Sequence, residues 1–87
     1  MSEIRITQEH IDRMMAEAEW EVMTVWGKCT IVACKLPNGF VLTESSGCVD
    51  PKNFDPKLGE EICRERIESQ IWKLEGYALQ SRIGDIR

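Results

Sequence analysis

The sequence predicts an α+β domain: an N-terminal helix, a three-stranded antiparallel sheet with an Asn-Gly hairpin, and a long C-terminal helix packed on the sheet. Three observations carry that expectation. Apolar residues recur at helical spacing over 8–18 and again beyond 56, they alternate with period two between 21 and 45, and the turn formers Gly27-Lys28, Asn38-Gly39 and Asp55-Pro56 fall between these blocks.

Thr7 is a good N-cap, and Ile11, Met14, Met15 and Ala18 follow at i, i+3, i+4 and i+7, one stripe of a helix over about 8–18. From Glu21 the period becomes two. Val22, Thr24 and Trp26 alternate with Met23 and Val25 in a first strand, and Gly27-Lys28 turns it. Cys29 to Leu36 is apolar and β-branched, Asn38-Gly39 offers the two positive-φ positions of a type I′ turn, and Phe40 to Ser45 returns. A two-residue loop there sets Leu36 against Val41, Cys34 against Thr43 and Val32 against Ser45 on the side expected to carry a helix. Lys35 with Leu42 and Ala33 with Glu44 then share a wetter side.

Residues 46–57 are rich in turn formers and end in Asp55 as N-cap with Pro56 at the first helical position. Leu58, Ile62, Cys63, Ile67, Ile71 and Leu74 stripe the second helix, Gly59 permits close approach to the sheet, and Gly76 is placed to end it. Glu60 and Arg64 are i,i+4 partners on the far face. Tyr77 to Leu79 should fold back on the core, and the last residues, about 80–87, read as a mobile polar tail. One domain over 1–87 is expected, because a chain this short buries only about 60% of its unfolded surface and has room for one core.

Composition narrows the function. A net charge of −4 opposes general nucleic-acid binding, which draws its affinity from Lys and Arg on phosphates. No apolar run approaches the length of a membrane span, and the Met1 to Arg5 start lacks the order of a signal peptide, so a cytosolic protein is expected. Cys29, Cys34, Cys48 and Cys63 contain no C-x-x-C pair, and Cys29 and Cys34 point to opposite faces of one strand. They are expected as free thiols serving as small hydrophobes, without metal or disulfide.

No catalytic set stands out. Ser45, Ser46 and Cys48 lie near a turn, but the one imidazole, His10, belongs to the first helix, and Asp50 and Asp55 each precede a proline, where turns and caps use them. Neither enzyme activity nor a cofactor is expected. A phosphate site could form at Ser45-Ser46-Gly47, with Arg64 or Arg66 reaching it from the helix and Phe54 or Phe40 flooring a base. The competing reading is a loop held by its own hydroxyls, with the arginines paired to Glu60, Glu61 and Glu68. Three tryptophans, Trp20, Trp26 and Trp72, are more than so small a core easily hides, which points to an interface with another protein or with a second copy. Trp72 and Phe40 are expected to serve the fold.

Five clusters occur in order: Leu36-Pro-Asn-Gly-Phe40, Glu44-Ser-Ser-Gly-Cys-Val-Asp-Pro51, Asn53-Phe-Asp55, Gly59 with Ile62-Cys-Arg64, and Ile71-Trp-Lys-Leu-Glu-Gly-Tyr77. Over about 7–79 they resemble a family of small tailed-phage proteins typified by an early gene product of coliphage N-four and one of a Shigella phage. Cys63 departs from the alanine usual before that arginine. The resemblance implies an accessory phage or prophage gene of the host-interaction kind, and supplies no reaction. A weaker similarity is to phage proteins that block Thoeris defence by sequestering nucleotide signals. Together these imply a non-catalytic protein of the host cytoplasm that holds a small nucleotide through Ser45, Ser46, Asn53, Phe54 and Arg64. The alternatives are a module docking on a host protein and a homo-oligomeric domain.

Overall fold

The computed structural model describes residues 4–84. In chain order it contains α1 (Gln8–Glu17), β1 (Glu19–Val25), β2 (Cys29–Lys35), β3 (Val41–Gly47), a short 3-10 turn (Pro51–Asn53) and α2 (Pro56–Ile83). The strands form one antiparallel sheet in the order β1-β2-β3, and α2 packs across β2 and β3. The expected α+β architecture is therefore present. Thr7 caps α1 by accepting a hydrogen bond from the His10 amide at 3.2 Å, and Asp55 caps α2 through the amides of Lys57 and Leu58 at 3.1 and 3.2 Å.

The hairpin turns differ from the sequence expectation, and the difference decides which side chains are buried. Between β1 and β2 the positive-φ residues are Trp26 (φ 54°) and Gly27 (φ 62°), closed by Lys28 N–H donating to the Val25 carbonyl at 3.2 Å. The turn sits one residue earlier than Gly27-Lys28. Between β2 and β3, Asn38 is not left-handed; Gly39 is, at φ 93°. Pro37 fixes its own φ near −65°, the first central position of a type I turn, so Asn38 continues that turn and Gly39 supplies the left-handed residue of a three-residue loop. The bonds Gly39 N–H to Leu36 O and Leu36 N–H to Phe40 O, both 2.8 Å, close it.

The extra loop residue shifts β3 by one. Cys34 faces Leu42 and Val32 faces Glu44, where the two-residue loop had set Thr43 and Ser45. Since side chains alternate, the slip exchanges the faces of β3: Leu42 is buried, whereas Val41, Thr43 and Ser45 are exposed. Phe40, expected in the core, is 52% exposed at the loop's end.

The inner face of the sheet carries Thr30, Val32, Cys34 and Leu42, which with Ile11, Leu36, Cys63, Ile67 and Ile71 are buried; Trp20, Trp72, Met14, Met15 and Ala18 pack half-buried around them. Gly59 brings α2 close: a Cβ there would lie 2.5 Å from the Thr30 hydroxyl oxygen. That hydroxyl is fully buried and has no hydrogen-bond partner among the described residues.

Gly76 does not end α2. The helix continues to Ile83 and stops at Gly84 (φ 86°), whose N–H reaches the Gln80 carbonyl. A mid-helix glycine costs only about 0.5–1 kcal/mol, and α1 lies beside α2 on the approach to Gly76: Gln8 to Glu68 at 3.0 Å and His10 to Glu75 at 3.3 Å. Tyr77 consequently stays on the helix, 76% exposed, instead of folding back. The expected polar tail begins in this helix, and residues 85–87 lie outside the described part of the chain.

Candidate functional site

Of the sequence-predicted ligand residues, Ser46, Asn53 and Phe54 lie together. With Gly47, Leu58 and Gly59 they line a recess of about 130 Å³ between the end of β3 and the start of α2. Ser45 stands on the opposite, outer face of β3, where its carbonyl accepts a hydrogen bond from Arg66 Nη1 at 2.9 Å. Arg64 is elsewhere. Two residues along a helix turn through about 200°, so Arg64 and Arg66 leave α2 on opposite sides. Arg64 lies 4.3 Å over the ring of Trp20 on β1 and donates from Nε to Glu60 at 2.8 Å. Trp20 is itself anchored by its indole N–H to the Met15 carbonyl at 3.0 Å.

The acidic residues of the loop are occupied by local structure. Asp50 accepts from the Lys52 amide at 2.9 Å and Asp55 caps α2. Burial raises the Cys34 and Cys63 thiols above their ordinary pKa, with Arg64 opposing the effect at Cys34 and Arg66 opposing it at Cys63. Both stay in the thiol form, which is the weak nucleophile. All four cysteines are free, and among the described residues no group of three or more His, Cys, Asp and Glu side chains could hold a metal.

A different surface emerges from the register. Met23, Val25, Cys29, Ile31, Ala33 and Val41 share the outer face of the sheet with Glu19, Glu21, Lys35, Thr43 and Ser45. Among the described residues no element packs on this face. Met23 is 56% exposed, and Trp26, at the hairpin tip beyond Val25, is 87% exposed. A bulky residue at positive φ is a conformational outlier, so the turn holds this ring in solvent at a backbone cost. At the other end of the face, Glu19, Glu21, Ala33, Lys35 and Val41 bound a depression of about 430 Å³. The surplus of tryptophans and the odd-numbered apolar positions of 23–33 were the sequence signals for this surface.

A family model covers residues 6–83, from before α1 to the last residue of α2. The chain belongs to the Phage protein (N4 Gp49/phage Sf6 gene 66) family. All the surfaces described above lie inside the matched span of this phage protein. No curated protein and no solved structure matches the chain. The family match bears on the tailed-phage resemblance and says nothing of Thoeris-blocking proteins. No helix among the described residues is long and apolar enough to cross a membrane.

Proposed function

We propose that this phage-family protein is a non-catalytic accessory module of the infected cell that works by docking a protein surface onto the open outer face of its sheet. The observation that carries the reading is the apolar strip of Met23, Val25, Ile31 and Ala33, uncovered among the described residues and ending in an exposed, positive-φ Trp26. Exposed aromatic anchors beside apolar surface are the common form of an interface centre. Met23→Glu places a charge in that strip without touching the core. The variant should melt like the parent protein and lose its polypeptide partner in cross-linking and co-purification from infected cells. Undiminished capture by Met23→Glu would remove the reading.

A second reading keeps the small nucleotide signal, because Ser46, Asn53 and Phe54 do share one recess. It has weaker support. Ligand sites usually begin near 300 Å³, this recess is about 130 Å³, and the Arg64 guanidinium is engaged by Trp20 and Glu60. A panel of cyclic and linear dinucleotides tests it through thermal shifts, and a shift abolished by Asn53→Ala and Phe54→Ala would restore it to first place.

A further inference from the structure

We infer that the partner attaches by adding an antiparallel strand to the open edge of β1, and that this strand alternates apolar residues with lysine or arginine. The inference rests on the docking reading above and names the partner's chemistry and its means of attachment.

The hydrogen-bond phase of the sheet fixes which backbone groups are open. Leu36 N–H donates to the Phe40 carbonyl at 2.8 Å at one end of the β2–β3 ladder, and Cys48 N–H donates to the Lys28 carbonyl at 2.9 Å at the other. Bonding alternates along an antiparallel pair, so the even-numbered residues of β2 bond to β3 and the odd-numbered ones to β1. Cys29, Ile31, Ala33 and Lys35 thereby engage their partners Val25, Met23, Glu21 and Glu19. The N–H and C=O groups of Trp20, Val22 and Thr24 face away from the sheet.

The same phase opens Val41, Thr43 and Ser45 at the other edge, on β3, but that edge is guarded. There α2 lies across the strand, and Arg66 donates to the Ser45 carbonyl at 2.9 Å. The usual protections are missing from β1: Glu19 to Val25 include no proline or lysine, and they pair with β2 without a bulge. Among the described residues no side chain is bonded to the backbone of Trp20, Val22 or Thr24, and Glu21, Val22, Met23 and Thr24 are exposed in succession. A row of unpaired ladder groups left open on an exposed strand is completed by a further extended strand.

Charge selects that strand. Glu19, Glu21 and Met23 point to the outer face of β1, while Val22, on the inner face, is 44% exposed. Glu19 has Lys35 at 3.1 Å, and Glu21 makes no ion pair among the described residues. An added strand sets alternate side chains beside Glu21 and beside Val22, which suits a cation at the first and an apolar group at the second. A second copy of β1 in that place would gather Glu19 and Glu21 of both chains on one face of the joined sheet, in a protein of net charge −4. Like charges oppose that pairing and leave the edge to a basic segment.

The probe is a blocked peptide of the length of β1, alternating valine and lysine, titrated by fluorescence anisotropy against the full chain. Its valines would lie opposite Trp20, Val22 and Thr24 and make the ladder bonds, so N-methylation of the valine amides should weaken binding about tenfold or more and N-methylation of the lysine amides should leave it. Glu21→Gln should weaken it about two- to fivefold. Val22→Pro removes an edge donor at a position where an edge strand tolerates proline, and should lose both the peptide and the polypeptide captured from infected cells. No binding by the parent protein, or binding indifferent to valine methylation, would overturn the proposal. So would a parent dimer that Val22→Pro dissociates, since the edge would then belong to a second copy. Capture kept by Val22→Pro but lost in Met23→Glu would overturn strand addition and leave the docking reading standing. A parent protein that captures neither peptide nor polypeptide would end both.

Discussion

The two faces of the sheet are built from alternate residues of the same three strands, yet along β2 they have opposite fates, while on β1, which α2 does not cover, inner-face Val22 is itself exposed. On the inner face Thr30, Val32, Cys34 and Leu42 are buried beneath α2, which Gly59 lets approach to contact distance. On the outer face Ile31 and Ala33, equally suited to burial, stay partly wet, and Met23 and Val41 are more than half exposed. Composition does not separate the faces, since both are apolar along β2. The difference lies in what the rest of the chain supplies: one long helix covers one side. Apolar strand residues therefore mark stability on one face and, on the docking proposal, recognition on the other.

The largest test of that division is Ile67→Ala against Met23→Thr. Ile67 is fully buried in the core, and large-to-small changes at such sites cost about 2–5 kcal/mol. Met23→Thr, measured at a dilution where chains are apart, should stay within about 0.5 kcal/mol. Urea denaturation of both variants checks the pair. Comparable losses would mean that the outer face contributes to the fold of the single chain as much as the inner one does.

Gly59→Ala tests how the inner face is closed. The added Cβ would fall 2.5 Å from Thr30 Oγ1 and 3.0 Å from Thr30 Cβ, and overpacking of this kind costs about 1–3 kcal/mol. Thr30→Ala in the same chain removes the obstructing atoms. The double variant should recover part of the loss, giving a coupling energy of the sign expected for residues in contact. Strict additivity would place the strain elsewhere.

Thr30→Val is expected to stabilise. The hydroxyl is buried without a partner among the described residues, and an unsatisfied buried polar group costs about 1–3 kcal/mol, much of which an apolar group of the same shape avoids. A rise in the urea midpoint corresponding to about 1 kcal/mol is the expected outcome. A fall would show that the oxygen makes a favourable contact with the Gly59 backbone.

Much of this architecture was legible in the sequence because the signals were local. Thr7 caps α1, Asp55-Pro56 starts α2, and Glu60 pairs with Arg64, all as their spacing requires. The failures share a cause: one local signal was read without its neighbour. Asn38-Gly39 suggests a two-residue turn until Pro37 is counted, and that single residue inverts β3. Gly76 suggests a helix end until α1 is placed beside it. Of the expected site residues, Ser46, Asn53 and Phe54 are close in sequence to one bend and were brought together. Arg64 was not, because its direction depends on helix phase relative to a sheet edge, which the sequence does not state.

The smallest effect sharpens the comparison most, because it separates the cost of a residue to the fold from its use. Trp26 holds φ at 54° with its ring 87% exposed. A left-handed conformation costs a non-glycine residue about 1–2 kcal/mol, and Trp26→Gly relieves it. Glycine gives back about 0.5–1 kcal/mol through the greater entropy of the unfolded chain. The net expectation for the isolated chain is a gain of roughly 0.5 kcal/mol, the difference of those two terms. Urea midpoints of parent and variant, compared where chains are apart, check the sign. With the proposed polypeptide partner docked on the outer face, the order should reverse, since the parent then gains binding energy that the variant lacks. A variant less stable without any partner would mean that Trp26 packs against its own chain. A variant more stable both with and without that partner would mean that the ring takes no part in docking.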